Sequence, residues 1–245
     1  MGRTFENRKQ AMAKRGDRDA KAFTKAGRQI SMAVKSGGGD PDANPALRRA
    51  IQNARSVNMP KDRIQNAIEK ALGLGDEAQF QEIMYEGYGP HGVAILVEAA
   101  TDNPTRTVAN VRLAFKKGDG TLGNSGSVSF LFDQFGVFRI SREGIDSEAL
   151  ELDLIDHGLE EMLEGENPEG EPLFELRTTR ESFGQMQSAL EDRKIDVESS
   201  GIAWIPKTAT QVNDEEADAV LALVERLEED DDVQHVFSTL GPGPG

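Results

Sequence analysis

The chain has 245 residues, of which 37% are hydrophobic and 29% are charged, and it contains no cysteine. This length allows a sizeable buried core divided among modules, and the lack of cysteine excludes disulfides, thiolate nucleophiles and thiolate metal sites. No apolar run approaches the roughly 18 residues of a membrane span, and the first ten residues lack the apolar stretch of a secretory signal, so the sequence predicts a cytoplasmic protein.

The net charge of −15 is divided unevenly along the chain. Residues 1–72 contain 16 Lys and Arg against 7 Asp and Glu, whereas residues 73–245 contain 12 against 36. Such asymmetry is typical of a basic binding module attached to an acidic body, although solvated charged faces also keep proteins soluble. We therefore interpret the first 72 residues as a module that binds a polyanion.

The chain from residue 1 to 75 is predicted to be a basic helical domain. Apolar residues recur at helical spacing from Phe23 to Val34, and the glycine- and proline-rich stretch at 36–41 then ends that helix. Asn44 and the proline after it are typical of a helix start. A third helix is predicted to begin at Pro60.

Strands and helices alternate beyond residue 80. Residues 80–134 and 201–240 are predicted to form one α/β domain, with strands at 93–99, 128–132, 202–205 and 233–237. Residues 135–200 repeat the order β-α-β-β-α-β of a ferredoxin-like fold, which predicts an acidic inserted domain. The fold class is therefore α+β, an N-terminal helical bundle followed by two ferredoxin-like α/β domains, one inserted in the other. Residues 241–245 are predicted to be a disordered tail.

No arrangement of residues predicts catalysis. His91, His157 and His235 lack the spacing of a metal site, and the GNSGS stretch at 123–127 lacks the lysine of a phosphate-binding loop. The 13 carboxylates between residues 143 and 175 are interpreted as a solvated surface. The sequence therefore predicts a non-enzymatic protein without a metal or a cofactor.

The candidate site is a set of basic side chains on the predicted helices. Lys and Arg near phosphates release counterions, so affinity is expected to depend steeply on salt. Aromatic residues for base stacking are scarce here, which favours recognition of backbone and shape. Arg48, Arg49 and Arg55 are expected to be exposed on the second helix. The predicted nucleic-acid-binding residues are Arg8, Lys9, Lys14, Arg15, Lys21, Lys25, Arg28, Lys35, Arg48, Arg49, Arg55, Lys61 and Arg63.

Distinctive motifs occur along almost the whole chain. They include GGGDPDANPALRRAI from Gly37, YEGYGPHG from Tyr85, TDNPTRTVANVR from Thr101, GSVSFLFD from Gly126 and EEDDDVQHVF from Glu228. In these motifs and their order the chain resembles the YebC/PmpR family of bacterial proteins, although its opening MGRTFENRK departs from the family's commoner H-S-K-W-A-N-I-K. The resemblance implies a three-domain crescent and a cytoplasmic, non-enzymatic regulator of gene expression.

The resemblance implies two kinds of partner. Family members are usually described as probable transcriptional regulatory proteins that bind DNA, while others, including a mitochondrial translational activator of cytochrome c oxidase, act on the ribosome or its RNA. The predicted partners are therefore DNA or ribosomal RNA, with the ribosome as an alternative and no membrane. Few groups in the basic segment can read bases, and no helix-turn-helix spacing is apparent, so physical reasoning favours RNA whereas the family description favours DNA. A hydrolase is the least supported interpretation.

Overall fold

The computed structural model describes residues 2–73, 80–167 and 170–241, with side chains from residue 19 onward. Two compact units divide the chain: one comprises Met1–Phe130 and Thr208–Gly245, and the other is Leu131–Lys207. The four-stranded sheet of each α/β part is antiparallel and has helices packed against it, which confirms the α+β fold class. The predicted tail at 241–245 lies outside the described residues except for its first residue. None of the helices in the described ranges combines the length and apolarity that a bilayer crossing needs.

Three helices form the N-terminal part of the first unit. They are α1 (Gly2–Gly37), α2 (Pro45–Ser56) and α3 (Lys61–Leu72). Their shared core contains Ile30 and Val34 from α1, Leu47 and Ala54 from α2, and Ile64 from α3. These apolar residues recur every three to four positions, so each helix buries one stripe and leaves its charged side chains on the surface.

Asn44 connects the end of α1 to the start of α2. Its side-chain oxygen accepts a hydrogen bond from the Leu47 N–H at 3.1 Å, and its amide nitrogen donates to the carbonyl oxygens of Ala33 and Gly38 at 2.7 and 2.8 Å. The side chain therefore satisfies groups at both helix ends. The predicted helix start at this asparagine is confirmed, and the motif around it is a helix connection.

The α/β part of the first unit begins with a hairpin. Strands β1 (Gln81–Tyr88) and β2 (Ala94–Thr101) pair antiparallel, and α4 (Pro104–Lys117) and β3 (Thr121–Leu122) follow. Gly87 lies where β1 meets β3, because a Cβ there would come within 2.6 Å of the Thr121 carbonyl oxygen. This close approach requires glycine.

The second unit has the ferredoxin-like order of elements. They are β4 (Phe132–Ser141), α5 (Ser147–Ile155), β5 (Leu159–Glu166), β6 (Pro172–Thr179), α6 (Phe183–Asp192) and β7 (Val197–Pro206). The sheet order is β5-β6-β4-β7, and all three pairings are antiparallel. Phe138, Leu176, Met186 and Leu190 are fully buried between this sheet and its helices.

The remaining elements complete the first unit. They are β8 (Thr210–Gln211), α7 (Asp214–Glu228), β9 (Val233–Ser238) and β10 (Leu240–Gly241). The main sheet has the order β3-β1-β2-β9, and β8 pairs with β10. Ile95, Val97, Phe115, Val220 and Leu223 form the core that α4 and α7 bury against the sheet.

Two strands predicted for the outer α/β domain were wrong. Residues 128–131 form a loop and one turn of 3-10 helix, and Phe132 already begins β4 of the second unit. Residues 202–205 belong to β7 of the second unit. The main sheet contains β1 instead. Along the chain, the strands of this sheet and the helices α4 and α7 therefore follow the order β-β-α-β-α-β. Val128 is fully buried although it is not in a strand, which shows that an apolar β-branched run signals burial more reliably than strand structure.

The two ends of the second unit meet. The Lys207 N–H donates to the Leu131 carbonyl oxygen at 2.9 Å, and the Lys207 ammonium lies 3.3 Å from the Asp133 carboxylate. Because β4 and β7 pair from Phe132 and Pro206 inward, the compact unit extends beyond the predicted 135–200 insert at both ends. The three-domain division of the chain stays a prediction.

We expect residues 131–207 to fold as an isolated polypeptide, because they contain a complete sheet, both of its helices and a closed core. Thermal unfolding followed by circular dichroism should give one cooperative transition. Leu190→Ala in this fragment should lower the free energy of unfolding by about 2–5 kcal/mol. A fragment that ends at residue 196 and lacks β7 is the control that should fail to fold, and a non-cooperative transition of the full fragment would contradict the expectation.

Candidate nucleic-acid interface

The predicted basic residues are distributed over all three helices of the bundle. Arg8, Lys9, Lys14 and Arg15 lie on α1, but their side chains are outside the described residues. Lys21 is half-buried on the same helix, and Lys35 is exposed in its last turn, where a cation stabilises the helix dipole.

Exposed basic side chains lie in the last turn of α2 and along α3. Arg55, Lys61, Arg63 and Lys70 are exposed, and Lys70 extends the predicted set by one residue. The Arg63 guanidinium lies 5.4 Å from the centroid of the Phe23 ring, a cation–π contact. Within the described part of the chain, the side chains of Arg55, Lys61 and Lys70 have no hydrogen bond or ion pair. We call these four cations the bundle surface.

Arg48 and Arg49 are half-buried, so the prediction that they are exposed was wrong. The Arg48 Nη1 donates to the Pro41 carbonyl oxygen at 3.2 Å, and burial lowers the pKa of Arg49. Both lie between the buried residues Leu47 and Ala50 of α2, which explains why the fold partly covers them. Arg55 is exposed as predicted.

Two predicted residues of α1 contact the α/β part of the first unit. The Lys25 ammonium donates to the Glu228 carbonyl oxygen at 3.2 Å, and burial lowers the pKa of Lys25. The Arg28 Nη1 donates to the carbonyl oxygens of Ala100 and Asp231 at 3.0 and 2.5 Å. These two cations therefore hold the bundle against the α/β elements.

The contact centres on a buried carboxylate, Asp232, which is 2% exposed. It lies 2.7 Å from Arg28 Nη1 and accepts hydrogen bonds from Arg106 Nη2 at 2.8 Å, Thr107 Oγ1 at 2.6 Å and Thr101 Oγ1 at 3.1 Å. Burial alone would raise the pKa of Asp232, but hydrogen bonds from Thr107 and Arg106 and the Arg28 charge lower it overall. We call these five residues the Asp232 cluster.

The Asp232 cluster explains two of the motifs. TDNPTRT supplies both threonines and Arg106, while EEDDD supplies the carboxylate, 125 residues away from Thr107 in sequence. Asn103 between the threonines caps α4 by accepting from the Arg106 N–H. Sequence reasoning missed this site because a buried aspartate inside an acidic run has no local signal.

A second buried carboxylate, Glu86, organises the GNSGS loop. It is 4% exposed and accepts hydrogen bonds from the backbone N–H groups of Gly126, Val128 and Ser129 at 2.7, 2.8 and 2.8 Å. Burial would raise the pKa of Glu86, but these three backbone donors lower it overall. The backbone amides of this loop are therefore bonded to a carboxylate of the protein and not available to a phosphate. YEGYG and GSVSF form one structural site.

An exposed basic ridge on α4 was not predicted from the sequence. Arg112, Lys116 and Lys117 project from this helix, and no described side chain pairs with them. In contrast, the five arginines of the second unit all have a polar side-chain partner: Arg139 with Glu175, Arg142 with Glu164, Arg177 with Glu161, Arg180 with Gln134 and Arg193 with Asp153. The acidic total of residues 73–245 concealed this local excess of positive charge. We call Arg112, Lys116 and Lys117 the α4 ridge.

Among the described side chains, no three His, Asp or Glu residues stand close enough together to hold a metal ion. His91 lies 3.4 Å from the Glu216 carboxylate, His157 lies 3.1 Å from Arg193, and His235 lies 3.4 Å from Gln29. Each histidine therefore belongs to a separate polar contact.

A basic helical bundle, an antiparallel α/β part and a ferredoxin-like unit together define a modular α+β protein whose distinctive residues mainly hold the fold together. The chain belongs to the TACO1/YebC family. Residues 3–74 match the family's N-terminal domain, and residues 80–240 match its second and third domains.

Relatives of similar length support this membership. A protein of Anaeromyxobacter dehalogenans named "Probable transcriptional regulatory protein" is 55% identical over 98% of this chain and 100% of that protein. A protein of the same name from Myxococcus xanthus is 48% identical over 98% of this chain and 100% of its own length. The crystal structure of the conserved hypothetical protein Aq1575 from Aquifex aeolicus is similar with a TM-score of 0.81 and 37% identity, covering 92% of this chain and 91% of that one.

Proposed function

We propose that this chain is a DNA-binding regulator of gene expression that contacts the phosphate backbone through its basic bundle. It acts in the cytoplasm and without catalysis. The proposal agrees with the names of the relatives from Anaeromyxobacter and Myxococcus. The observation that carries it is the bundle surface, where Arg55, Lys61 and Lys70 are exposed and their side chains have no hydrogen bond or ion pair among the described residues.

The other predicted cations have different roles in this proposal. Lys25 and Arg28 hold the bundle in place, and Arg48 and Arg49 are half-buried beside the bundle core. A phosphate contact through Arg28 would require its guanidinium to leave the buried Asp232 carboxylate. The proposed phosphate contacts are therefore Arg55, Lys61, Arg63 and Lys70.

We expect the triple substitution R55Q/K61Q/K70Q to weaken binding to duplex DNA, because up to three phosphate contacts are lost. The slope of log affinity against log salt should fall by about 0.9 per contact. Fluorescence anisotropy with a labelled random duplex at several salt concentrations measures this slope.

The matched control is K194Q/K207Q/R226Q, which removes three exposed positive charges outside the bundle surface and the α4 ridge. The control should bind like the wild type. Equal weakening of both variants would mean that overall charge decides affinity and would contradict the proposed location.

A second candidate function is association with ribosomal RNA as a translation factor. The observation that favours it is the chemistry of the bundle surface, which presents cations. The nearby aromatic ring of Phe23 is half-buried beneath Arg63 and is not exposed for base stacking. Such a surface recognises phosphate positions in folded RNA as readily as in DNA. Competition of folded ribosomal RNA fragments against duplex DNA at equal salt tests this alternative. A promoter duplex bound at least about 10³-fold more tightly than random duplex would support the DNA function.

A further inference from the structure

The C-terminal half of α4 carries more positive charge than helix stability requires. Lys116 and Lys117 lie in the last turn, where cations interact favourably with the helix dipole. Arg112 lies a turn earlier and is four residues from Lys116, and like charges at this spacing destabilise a helix. Leu113 lies among these cations and is 50% exposed. Repulsion between the cations of the α4 ridge therefore destabilises the helix, and no described side chain pairs with them to offset it.

The carboxylates that contact α4 bind side chains of its N-terminal half. Asp102 and Asp232 pair with Arg106, and Asp230 accepts a hydrogen bond from Asn110. Asp119 follows the C-terminus of α4, and Glu225 is exposed on α7, the helix packed against α4. Neither of these two is within ion-pair distance of the α4 ridge in the described structure. Positive charge is thus neutralised in the first half of α4 and left available in the second.

The Asp232 cluster connects this helix to the bundle. Arg106 in the first turns of α4 and Arg28 of α1 bind the same carboxylate, at 2.8 and 2.7 Å. With a rise of about 1.5 Å per residue, the ridge begins about 9 Å beyond Arg106 and ends about 17 Å beyond it. One turn of a DNA duplex spans about 34 Å, so a bound duplex is long enough to extend from the bundle past the ridge.

We propose that the α4 ridge is a second contact with the phosphate backbone, so that nucleic acid held by the bundle continues over the α/β part of the first unit. This inference rests on the proposed function, because it assumes a bound nucleic acid. It adds Arg112, Lys116 and Lys117 to the interface. If the bundle alone bound nucleic acid, these three side chains would make no contact with it.

The test compares full-length variants by anisotropy with a labelled 30-base-pair random duplex. For R112Q/K116Q/K117Q, three lost contacts should lower the salt slope by about 2.7, so the ratio of wild-type to variant affinity should fall about 40-fold between about 50 and 200 mM salt. The control K194Q/K207Q/R226Q should keep the wild-type slope. The substitution R112E provides a second variant, because Glu four residues before Lys116 forms a favourable helix pair. R112E should therefore raise thermal stability while it weakens binding.

The outcomes separate the two proposals. Wild-type slopes for both ridge variants, together with a reduced slope for R55Q/K61Q/K70Q, would overturn the ridge and leave the proposed function standing. A reduced slope for the ridge variants alone would overturn the bundle as the interface and, with it, the continuous contact proposed here. Reduced slopes for both sets, with the control unchanged, would support both proposals. Absence of wild-type binding at about 50 mM salt would overturn both.

Discussion

Substitution of Asp232 by alanine should lower the free energy of unfolding of the first unit by about 3–5 kcal/mol, because breaking a buried ion pair leaves uncompensated charge. The Arg28 guanidinium, whose side chain is 15% exposed, would lose its carboxylate, and the Thr101 and Thr107 hydroxyls would lose their acceptor. Urea unfolding of the full chain measures the change.

The neighbouring Asp231→Ala is the matched control. Asp231 is exposed, and Arg28 contacts its carbonyl oxygen rather than its side chain, so the substitution should change stability by less than about 0.5 kcal/mol. Equal effects of the two substitutions would show that Asp232 does not hold the bundle.

Asp232 should also make stability depend on pH. Its pKa is lowered below the ordinary value of 3.8, so the unfolded state takes up a proton more readily than the folded state. The stabilisation is therefore complete above that value and is lost as pH falls through the lower, folded pKa. The difference in unfolding free energy between the wild type and Asp232→Asn should shrink as pH falls below about 4. A difference that is constant with pH would contradict the assignment.

Substitution of Glu86 by alanine should cost about 3–5 kcal/mol, because three backbone N–H groups would lose a charged acceptor in a buried site. Hydrogen exchange gives the local readout: the amides of Gly126, Val128 and Ser129 should be protected in the wild type and exchange faster in the variant. Unchanged protection of all three would contradict the role assigned to Glu86.

Glu82→Ala is the control for this site. Glu82 lies on the same strand four residues earlier and is exposed, so its removal should change stability by less than about 0.5 kcal/mol. Glu86→Gln should have an intermediate effect, because the amide keeps one acceptor oxygen but turns a donor toward backbone N–H groups.

The two carboxylates give the family motifs a physical meaning. YEGYG and GSVSF meet at Glu86, and TDNPTRT and EEDDD meet at Asp232. In both sites one buried carboxylate satisfies several donors from distant segments, which fixes a loop in one case and a helical module in the other. Arg28, which the sequence predicts to contact nucleic acid, is therefore one of the residues that hold the fold together.

The sequence by itself determined the features that depend on near neighbours. The asparagine caps at Asn44, Asn103 and Asn213 and the apolar stripes of their helices were predictable, because a cap and its N–H donor lie three residues apart. The element order of the second unit was predictable as well, since each of its strands has its own local pattern. The basic character of the bundle follows from composition alone.

Tertiary structure decided what depends on distant partners. The strand β1 was missed because its glycine is required by β3 and lowers strand propensity. Arg28 and Arg55 are both basic helix residues, yet one is bound to Asp232 while the other is exposed. The α4 ridge was not predicted because residues 73–245 have a negative net charge, and a net charge does not show where the positive side chains lie. Pairing a cation with a carboxylate more than 100 residues away is a property of the folded chain, and so is the exposure of the cations that remain on the surface.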